Sequence, residues 1–504
     1  MKMGSTKFYK LLDLLSLLEK NFKECYVVGG ILRDLLLYKN LFKEKNTIDI
    51  DISVKNLQIE KLKEITSKLN LPFVILDEDN LVYRSVIKDS PSLVNVDFTN
   101  YTSLEEDILR RDFVINTLYL NLKHFINFLK TFDRKIFIHN LKDKLKAKDD
   151  IRKKVLRVVE ENSFEKDPLR ILRAARFYSL GFKPDKKMNS LIEKYRELLS
   201  KVSQERITEE IKKIFNNFSY NVLEWMDKVK ILDVVFPELE IIKIKGKNTQ
   251  FRKFYFHPDG LWQHVKLAYK SVEKILKNLK RYFPKSHQDI LLYIKNREYI
   301  LKFIVLFHDI AKPLVAKKIK GKVRFFYHEI KSYEISNKIL QRLRLSNEDI
   351  SIITNIIKNH MRLGSLCVNR GVITQRAYLR LFRDLGDSLY FLVIFSLADR
   401  MSYETVPLKE RKKYFKNFTP LNEFIKFENN LLEIYKDYKV KLSLPKLLNG
   451  HDIMKIFDIP EGPLVGKLLA LIREAQILGK ISTKEEAISL IKKHLKNYKS
   501  LKKT

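Results

Sequence analysis

Cysteine is almost missing from this sequence: Cys25 and Cys367 are the only two among 504 residues. Two thiols build no disulfide framework, and Cys25 lies in an apolar, β-forming run, so both are expected as reduced thiols of a cytoplasmic protein. Long apolar runs are missing too. None approaches the roughly 18–20 residues that a bilayer crossing requires, and the longest, such as Tyr390 to Ala398, has the length of a core helix. A helical membrane protein is excluded. Asp13 interrupts the leucines between Leu11 and Leu18, and no small-residue cleavage site follows, so the N-terminus reads as an amphipathic helix and not an export signal. Glycine (14) and proline (13) are scarce, and neither a low-complexity linker nor an internal repeat is visible. Acidic residues are short as well: 61 Asp plus Glu stand against 97 Lys plus Arg, a net charge of +36 spread along the chain. A surplus of that size points to a polyanionic partner, nucleic acid before membrane. With 45% hydrophobic residues and 32 Phe the chain buries real cores, and its length calls for two to four domains.

The chain is organised around Cys25 to Val54. Cys25-Tyr26-Val27-Val28 is a short strand, Gly29-Gly30 stops it, and Ile31 to Leu37 has helical character. Bare backbone N–H groups and a helix N-terminus at such a turn suit a phosphate. Thr47 to Val54 then alternates strictly: Ile48, Ile50, Ile52 and Val54 face one side of a strand, Asp49 and Asp51 the other. Carboxylates two strand residues apart stand roughly 6.6 Å apart along the chain and can share a divalent ion or a pair of them. Alone, the pair could be the solvent face of an edge strand. Behind a phosphate turn, it resembles the nucleotidyltransferase head of the polymerase β superfamily.

Further strands are expected at Phe73–Leu76, Leu81–Ile87 and Leu93–Phe98, giving a mixed sheet flanked by helices, and Asp97 is a candidate third carboxylate. From about Leu156 the pattern turns helical. Soft boundaries fall near Lys243 to Asn248 and near Thr405 to Pro420. Arg110-Arg111-Asp112 is either an ordinary salt-bridge group or, beside a nucleotide, a triphosphate and ribose contact. Asp167-Pro168-Leu169-Arg170 predicts a helix start, with Asp167 as N-cap and Pro168 at the first helical position. Asp167 and Arg170 also share one helix face. They offer an acceptor beside a donor, which matches the amino group and ring nitrogen of cytosine and adenine and rejects guanine and uracil.

The motifs run in the order Gly29-Gly30-x-x-Arg33-Asp34, Asp49-Ile50-Asp51, Arg110-Arg111-Asp112, Asp167-Pro168-Leu169-Arg170 and Arg206-x-x-Glu209-x-x-Lys212. The tail from Leu444 to Gln476 follows the same pattern. This order resembles the class II tRNA nucleotidyltransferases, the family of CCA-adding enzymes and bacterial poly(A) polymerases, over nearly the whole chain. The resemblance implies an α+β protein: a polymerase β-like head (1–135), a neck with a base-reading helix (136–250), an HD-type helical domain (251–405) and a helical tRNA-binding region (406–504). It implies that Asp49 and Asp51 hold Mg²⁺. Gly29, Gly30 and Arg33 would cradle phosphates, with Arg111, Asp112 and Asn116 on the nucleotide. Asp167 and Arg170 would choose the base, with Arg173 near phosphate. The implied partners are CTP, ATP and the 3′ end of tRNA, with no membrane. Two positions depart from the family: Lys166 replaces the usual Glu, and Ala147 stands where a glycine belongs in the Asp143 to Ile151 segment, a loop the family associates with adding the terminal A.

A second constellation lies downstream. His308-Asp309 closes an apolar helix, and His264, His328, His360 and Asp399 fall on other helices. A lone His in a helix is an ordinary core or surface residue; a His-Asp pair with four such companions is not. The set resembles the HD phosphohydrolase superfamily, which binds one or two divalent metals (Mn²⁺, Ni²⁺, Co²⁺ or Mg²⁺), with Asp309 bridging. The main expectation is therefore a template-independent enzyme adding C and A to tRNA. Its rivals are a CC-adding partial enzyme, a poly(A) polymerase, and an RNA-end phosphohydrolase with a non-catalytic head.

Overall fold

The computed structural model describes residues 6–38, 41, 47–78, 81–89, 92–243, 260–320, 322–369, 373–407, 409 and 419–501. Its chain forms two compact units, Met1–Pro237 and Glu238–Thr504. Both soft boundaries fall largely outside the described residues.

The first unit carries a six-stranded sheet in the order β3-β4-β5-β2-β1-β6, from β1 (Cys25–Val28), β2 (Thr47–Lys55), β3 (Phe73–Asp77), β4 (Val82–Asp89), β5 (Ser92–Tyr101) and β6 (Tyr119–Asn121). Only β2 and β5 pair in parallel; the remaining neighbours are antiparallel. The expected mixed sheet is present, and β6 is an addition whose three residues are too few to leave a periodic signal. Along β2 the buried Ile48, Ile50, Ile52 and Val54 face the core while Asp49 is exposed and Asp51 partly so. Alternation breaks at Ser53, which is buried because its hydroxyl meets Asp107 at 3.4 Å.

Helices take over beyond the sheet, with one short parallel pair, β7 (Val155–Leu156) and β8 (Lys183–Pro184). The expected helix start at Asp167–Pro168 needs correction, since the regular helix spans Arg170–Ser179. Asp167 instead closes the short helix Ser163–Lys166 with an extended backbone. Arg170 N and Ile171 N bond back three residues to Asp167 O and Pro168 O, a tight entry turn that delays the α-helix. The Asp167 carboxylate still caps, accepting from Leu169 N at 3.3 Å.

The second unit is helical. Leu261–Lys277, Glu298–Phe307, His328–Arg342, Asn347–Asn359 and Leu389–Ser402 pack around one core, and Tyr390 to Ala398 is buried throughout, as its composition requires. One hairpin interrupts the helices, β9 (Lys317–Ile319) with β10 (Lys322–Arg324). Leu448, Ile453, Val465, Leu468 and Ile472 form a separate C-terminal core. No described helix is long and apolar enough to cross a membrane.

Inside the second unit Lys302 is fully buried, 2.7 Å from Glu273 and over the Tyr269 ring. Burial pulls its pKa down to about 8, against the attraction of Glu273. Glu273→Gln should cost about 3–5 kcal/mol, because it leaves a buried charge unpaired, whereas Glu273→Leu with Lys302→Met should be neutral or stabilising. The folded form binds fewer protons than the unfolded chain between pH 8 and 10.5. Wild-type stability should therefore rise with pH through that window, and the Glu273→Gln deficit, which needs a charged Lys302, should be smaller there than at pH 7. Denaturant titrations of the three proteins at pH 7 and 9.5 check both statements.

Candidate active site and metal centre

The head site begins at the end of β1, where Val28 pairs with Asp51. Gly29 follows with φ +76, and a Cβ there would lie 2.7 Å from Arg111 Nη1 and 3.0 Å from Asp51 Oδ2. Only glycine fits both the backbone angle and the space. Gly30 opens the helix Gly30–Leu37. Asp49 accepts from Asn95 Nδ2 at 2.8 Å. No described residue donates a hydrogen bond to Asp51, whose pKa is raised to about 6 by burial, with Asp97 and Asp49 adding and Arg111 and Arg173 opposing. Asp97 stands beside Asp51 across the parallel pair. Both its oxygens accept from Arg84, at 2.7 and 2.8 Å, so it anchors an arginine beside the Asp49–Asp51 pair.

Asp112, the expected ribose contact, lines the same cleft as Asp49 and Asp51. It is buried and accepts from Phe113 N and Asn116 Nδ2 on one oxygen, both at 2.8 Å, and from Arg173 Nε and Nη2 on the other. Those four bonds engage both of its oxygens. Arg173 and these donors hold its pKa below the usual carboxylate range although burial alone would raise it. Asn116 extends the chain of contacts, accepting from Arg33 Nη1 at 2.5 Å, while Arg33 also pairs with Asp34 and lies over Phe177. Arg33, Asn116, Asp112 and Arg173 are thus one rigid network.

Arg170 donates to Ser163 Oγ at 2.8 Å and to Arg110 O at 2.6 Å, which fixes the guanidinium plane and leaves three N–H donors. Asp167 accepts from Leu169 N at 3.3 Å and receives, from side chains, the long contact of Arg206, 3.4 Å. One cleft of about 650 Å³ collects these groups: Gly30, Asp49 and Asp51 with Asp107, Asp112, Asp167 and seven arginines (33, 110, 111, 170, 173, 176 and 206). Sequence reasoning missed Arg84, Asn95 and Arg176 because their partners are distant in the chain. Arg206 was visible only as a scaffold position.

The second site brings together all six expected residues. His264 Nε2 lies 3.3 Å from His308 Nε2 and 3.1 Å from Asp399; His328 Nε2 lies 3.3 Å from His360 Nε2 and 3.4 Å from Asp309. Two triads share Asp309: His264-His308-Asp309 and Asp309-His328-His360. The outer ring nitrogens fix the tautomers. Nδ1 of His308, His328 and His360 faces the carbonyls of Val305, Phe325 and Ile357 at 3.0, 2.8 and 2.7 Å, so each Nδ1 is the protonated donor. Ser402 Oγ uses its hydrogen on Asp399 O, so His264 Nδ1 donates to Ser402. Four Nε2 lone pairs therefore converge, in two pairs separated by 3.3 Å. A divalent cation satisfies that arrangement, and such outer-shell bonds are what orient metal-binding imidazoles. Burial would lower the His308 pKa, but Asp309 beside it outweighs burial and raises it. Lys312 pairs with Asp309 at 2.5 Å, and Tyr403 stacks on His264. Ser402, Lys312 and Tyr403 carried no motif.

A mixed-sheet head with paired carboxylates in an arginine cleft defines a nucleotidyltransferase fold joined to a helical metal-binding domain. The comparisons agree. Family descriptions match residues 25–157 (poly A polymerase head domain), 181–242 (RNA and SrmB-binding site of polymerase A), 262–403 (HD domain) and 417–491 (tRNA nucleotidyltransferase domain 2). The CC-adding tRNA nucleotidyltransferase of Thermus thermophilus is 27% identical over 481 residues, 92% of each chain. The A-adding tRNA nucleotidyltransferase of Deinococcus radiodurans is 23% identical, covering 78% of this chain and 79% of its own. The solved Thermotoga maritima CCA-adding enzyme complexed with tRNA-CCA shares the fold with a TM-score of 0.56 at 19% identity, covering 98% of this chain and 97% of that one. The chain thus matches a poly A polymerase head domain, an HD domain and a tRNA nucleotidyltransferase domain 2 in succession, and is similar over most of its length to tRNA nucleotidyltransferases.

Gly29→Ala forces a positive φ on alanine and drives its methyl group into Arg111 and Asp51, so it should lose about 1–3 kcal/mol of stability. Gly30→Ala meets only Arg33, at an ordinary 3.5 Å, and should unfold like the wild type. Urea titration of the two variants side by side tests the difference.

Proposed function

We propose that this protein adds C and A nucleotides to the 3′ end of tRNA, without a template, from CTP and ATP with Mg²⁺. The observation that carries the reading is the meeting of Asp49 and Asp51 with Asp167 and Arg170 in one arginine-lined cleft. Asp49 and Asp51 hold the ion, and its raised pKa makes Asp51 a site where a cation replaces a proton. Mg²⁺ there supplies charge neutralisation and a more acidic primer hydroxyl. The primer 3′-oxygen forms a bond to the α-phosphorus as the bond to pyrophosphate breaks. Gly29 and Gly30 let backbone N–H groups approach the phosphates, and Arg111, tied to Asp107, offsets their charge. Arg33 and Arg173, locked by Asn116 and Asp112, hold the cleft wall. Asp167 accepts from the base amino group, and Arg170 donates to the ring nitrogen. The parts at about 1–135, 136–250, 251–405 and 406–504 serve as head, neck, HD domain and tRNA-binding region. The two buried thiols suit a cytoplasmic setting.

One observation favours a second reading, addition of CC alone. Asp143 accepts from both Ala147 N and Lys148 N, tying the segment that the family uses for the terminal A into a short helix. Incorporation on tRNA lacking its CCA end decides: three additions support the first reading, two the second, a long A tail a poly(A) polymerase.

The HD cluster supports a separate metal-dependent phosphohydrolase acting on RNA ends, with Mn²⁺, Ni²⁺, Co²⁺ or Mg²⁺. The water oxygen bonds to phosphorus, one P–O ester bond breaks, and the proton passes to the departing ribose oxygen.

Asp51→Ala should abolish nucleotide addition while tRNA binding, read by gel shift, persists; substantial incorporation would remove Asp51 from the metal site. Asp167→Ala should slow addition and relax discrimination against U and G by about ten- to a hundredfold. A protein that melts earlier yet still takes only C and A would leave Asp167 as a cap alone. Asp309→Ala should end hydrolysis of 2′,3′-cyclic phosphates and spare nucleotide addition, both measured on one preparation.

A further inference from the structure

We propose that the β9–β10 hairpin and the turn after it form a docking surface for a single-stranded RNA end, feeding its terminal phosphate to the HD cluster. This inference rests on the phosphohydrolase reading of that cluster and names its substrate class: a polynucleotide end, not a free nucleotide.

The hairpin is cationic in a way that costs the fold. Arg324 pairs directly with Lys317 across the two strands, and like charges facing each other destabilise a ladder. Lys318 and Lys320 add to the field, and all four side chains are exposed. No described carboxylate pairs with any of the four. A phosphate backbone relieves this repulsion, whereas a neutral or cationic ligand does not.

Two aromatic rings follow immediately. Phe326 and Tyr327 are 59% and 72% exposed, where rings of their size ordinarily turn inward. Tyr327 holds φ +60, an uncommon conformation for a bulky residue. The next residue, His328, is a member of the metal-binding cluster. The left-handed turn thus points His328 inward and leaves the tyrosine in solvent. Exposed rings beside lysines and arginines are how sequence-tolerant sites hold single strands, with bases stacked and phosphates neutralised.

Two contacts tie this surface to the metal site. Phe325 O faces His328 Nδ1 at 2.8 Å. The Phe325 ring lies 5.9 Å from Lys312 Nζ, and Lys312 pairs with the shared Asp309. Phe326 and Tyr327 thus directly precede, in the chain, the cluster's own His328.

The test compares a trinucleotide and a mononucleotide, each ending in a 2′,3′-cyclic phosphate, with the Mn²⁺-loaded full-length protein. Wild type should prefer the trinucleotide in kcat/KM. Phe326→Ser with Tyr327→Gly should reduce that preference about tenfold or more. Glycine at 327 suits the backbone angle, so folding is not the variable. Lys317→Glu with Arg324→Glu should flatten the salt dependence of trinucleotide KM. A second measurement stands apart from hydrolysis: an RNA ending in 4-thiouridine should photo-crosslink to the peptide containing residues 317–331. Mononucleotide hydrolysis with neither preference nor crosslink overturns the docking surface and leaves the phosphohydrolase reading intact. A crosslink without hydrolysis of either substrate does the reverse. A dimer that the aromatic double variant dissolves, with no crosslink, would make this face a contact between copies and also overturn the proposal.

Discussion

Like charges held close together are the constraint on which both sites depend. A strand repeats every two residues, so Asp49 and Asp51 project from the same face, and their repulsion has no remedy within β2 itself. The remedy comes from elsewhere. Arg111 lies close to Gly29 and its charge favours the ionised form of Asp51, Arg84 takes up the neighbouring Asp97, and Asn95 binds Asp49. Gly29 is the piece that permits this, because any side chain there would run into Arg111 and Asp51. The turn is thus an electrostatic requirement of β2 as well as the phosphate site proposed for it.

The HD cluster solves the same problem with helix ends. His308 and His360 cap their helices, and His328 begins one. His308 and His360 reach carbonyls of their own last turns, and His328 reaches Phe325 O just before its helix. Each imidazole thereby spends its Nδ1 proton on protein and presents a lone pair inward. Backbone geometry sets the tautomer, and the tautomers select a cation as guest.

Legibility in the sequence followed the range of the forces involved. The alternation of β2, the strand-turn-helix at Gly29–Gly30 and the apolar helix before His308 depend on neighbours in sequence, and all were readable. So were the members of the HD cluster, because few other roles explain so many His and Asp residues beside one apolar helix. The bonds of Asp112 were not readable, since they depend on Arg173, sixty-one positions away. The Asp167 helix start was displaced because a four-residue helix, Ser163–Lys166, ends against it. The stretch from Lys317 to Arg324 read simply as part of a basic chain. Its strain appears only once the register sets Arg324 against Lys317.

The head cleft carries a quantitative hint about its guest. Seven arginines and five aspartates line it, a formal surplus of two positive charges. A nucleoside triphosphate carries about four negative charges and one divalent cation offsets two of them, so a metal-bound triphosphate brings the cleft near neutrality. A nucleoside monophosphate with the same ion would leave the surplus in place, and a bare triphosphate would overshoot it. Because four of the arginines, 33, 111, 170 and 173, are held by protein partners, the cleft cannot adjust its charge by swinging them away. Charge balance in a rigid wall therefore favours metal and triphosphate together over either alone, and the base is judged in a cleft whose electrostatics are already settled.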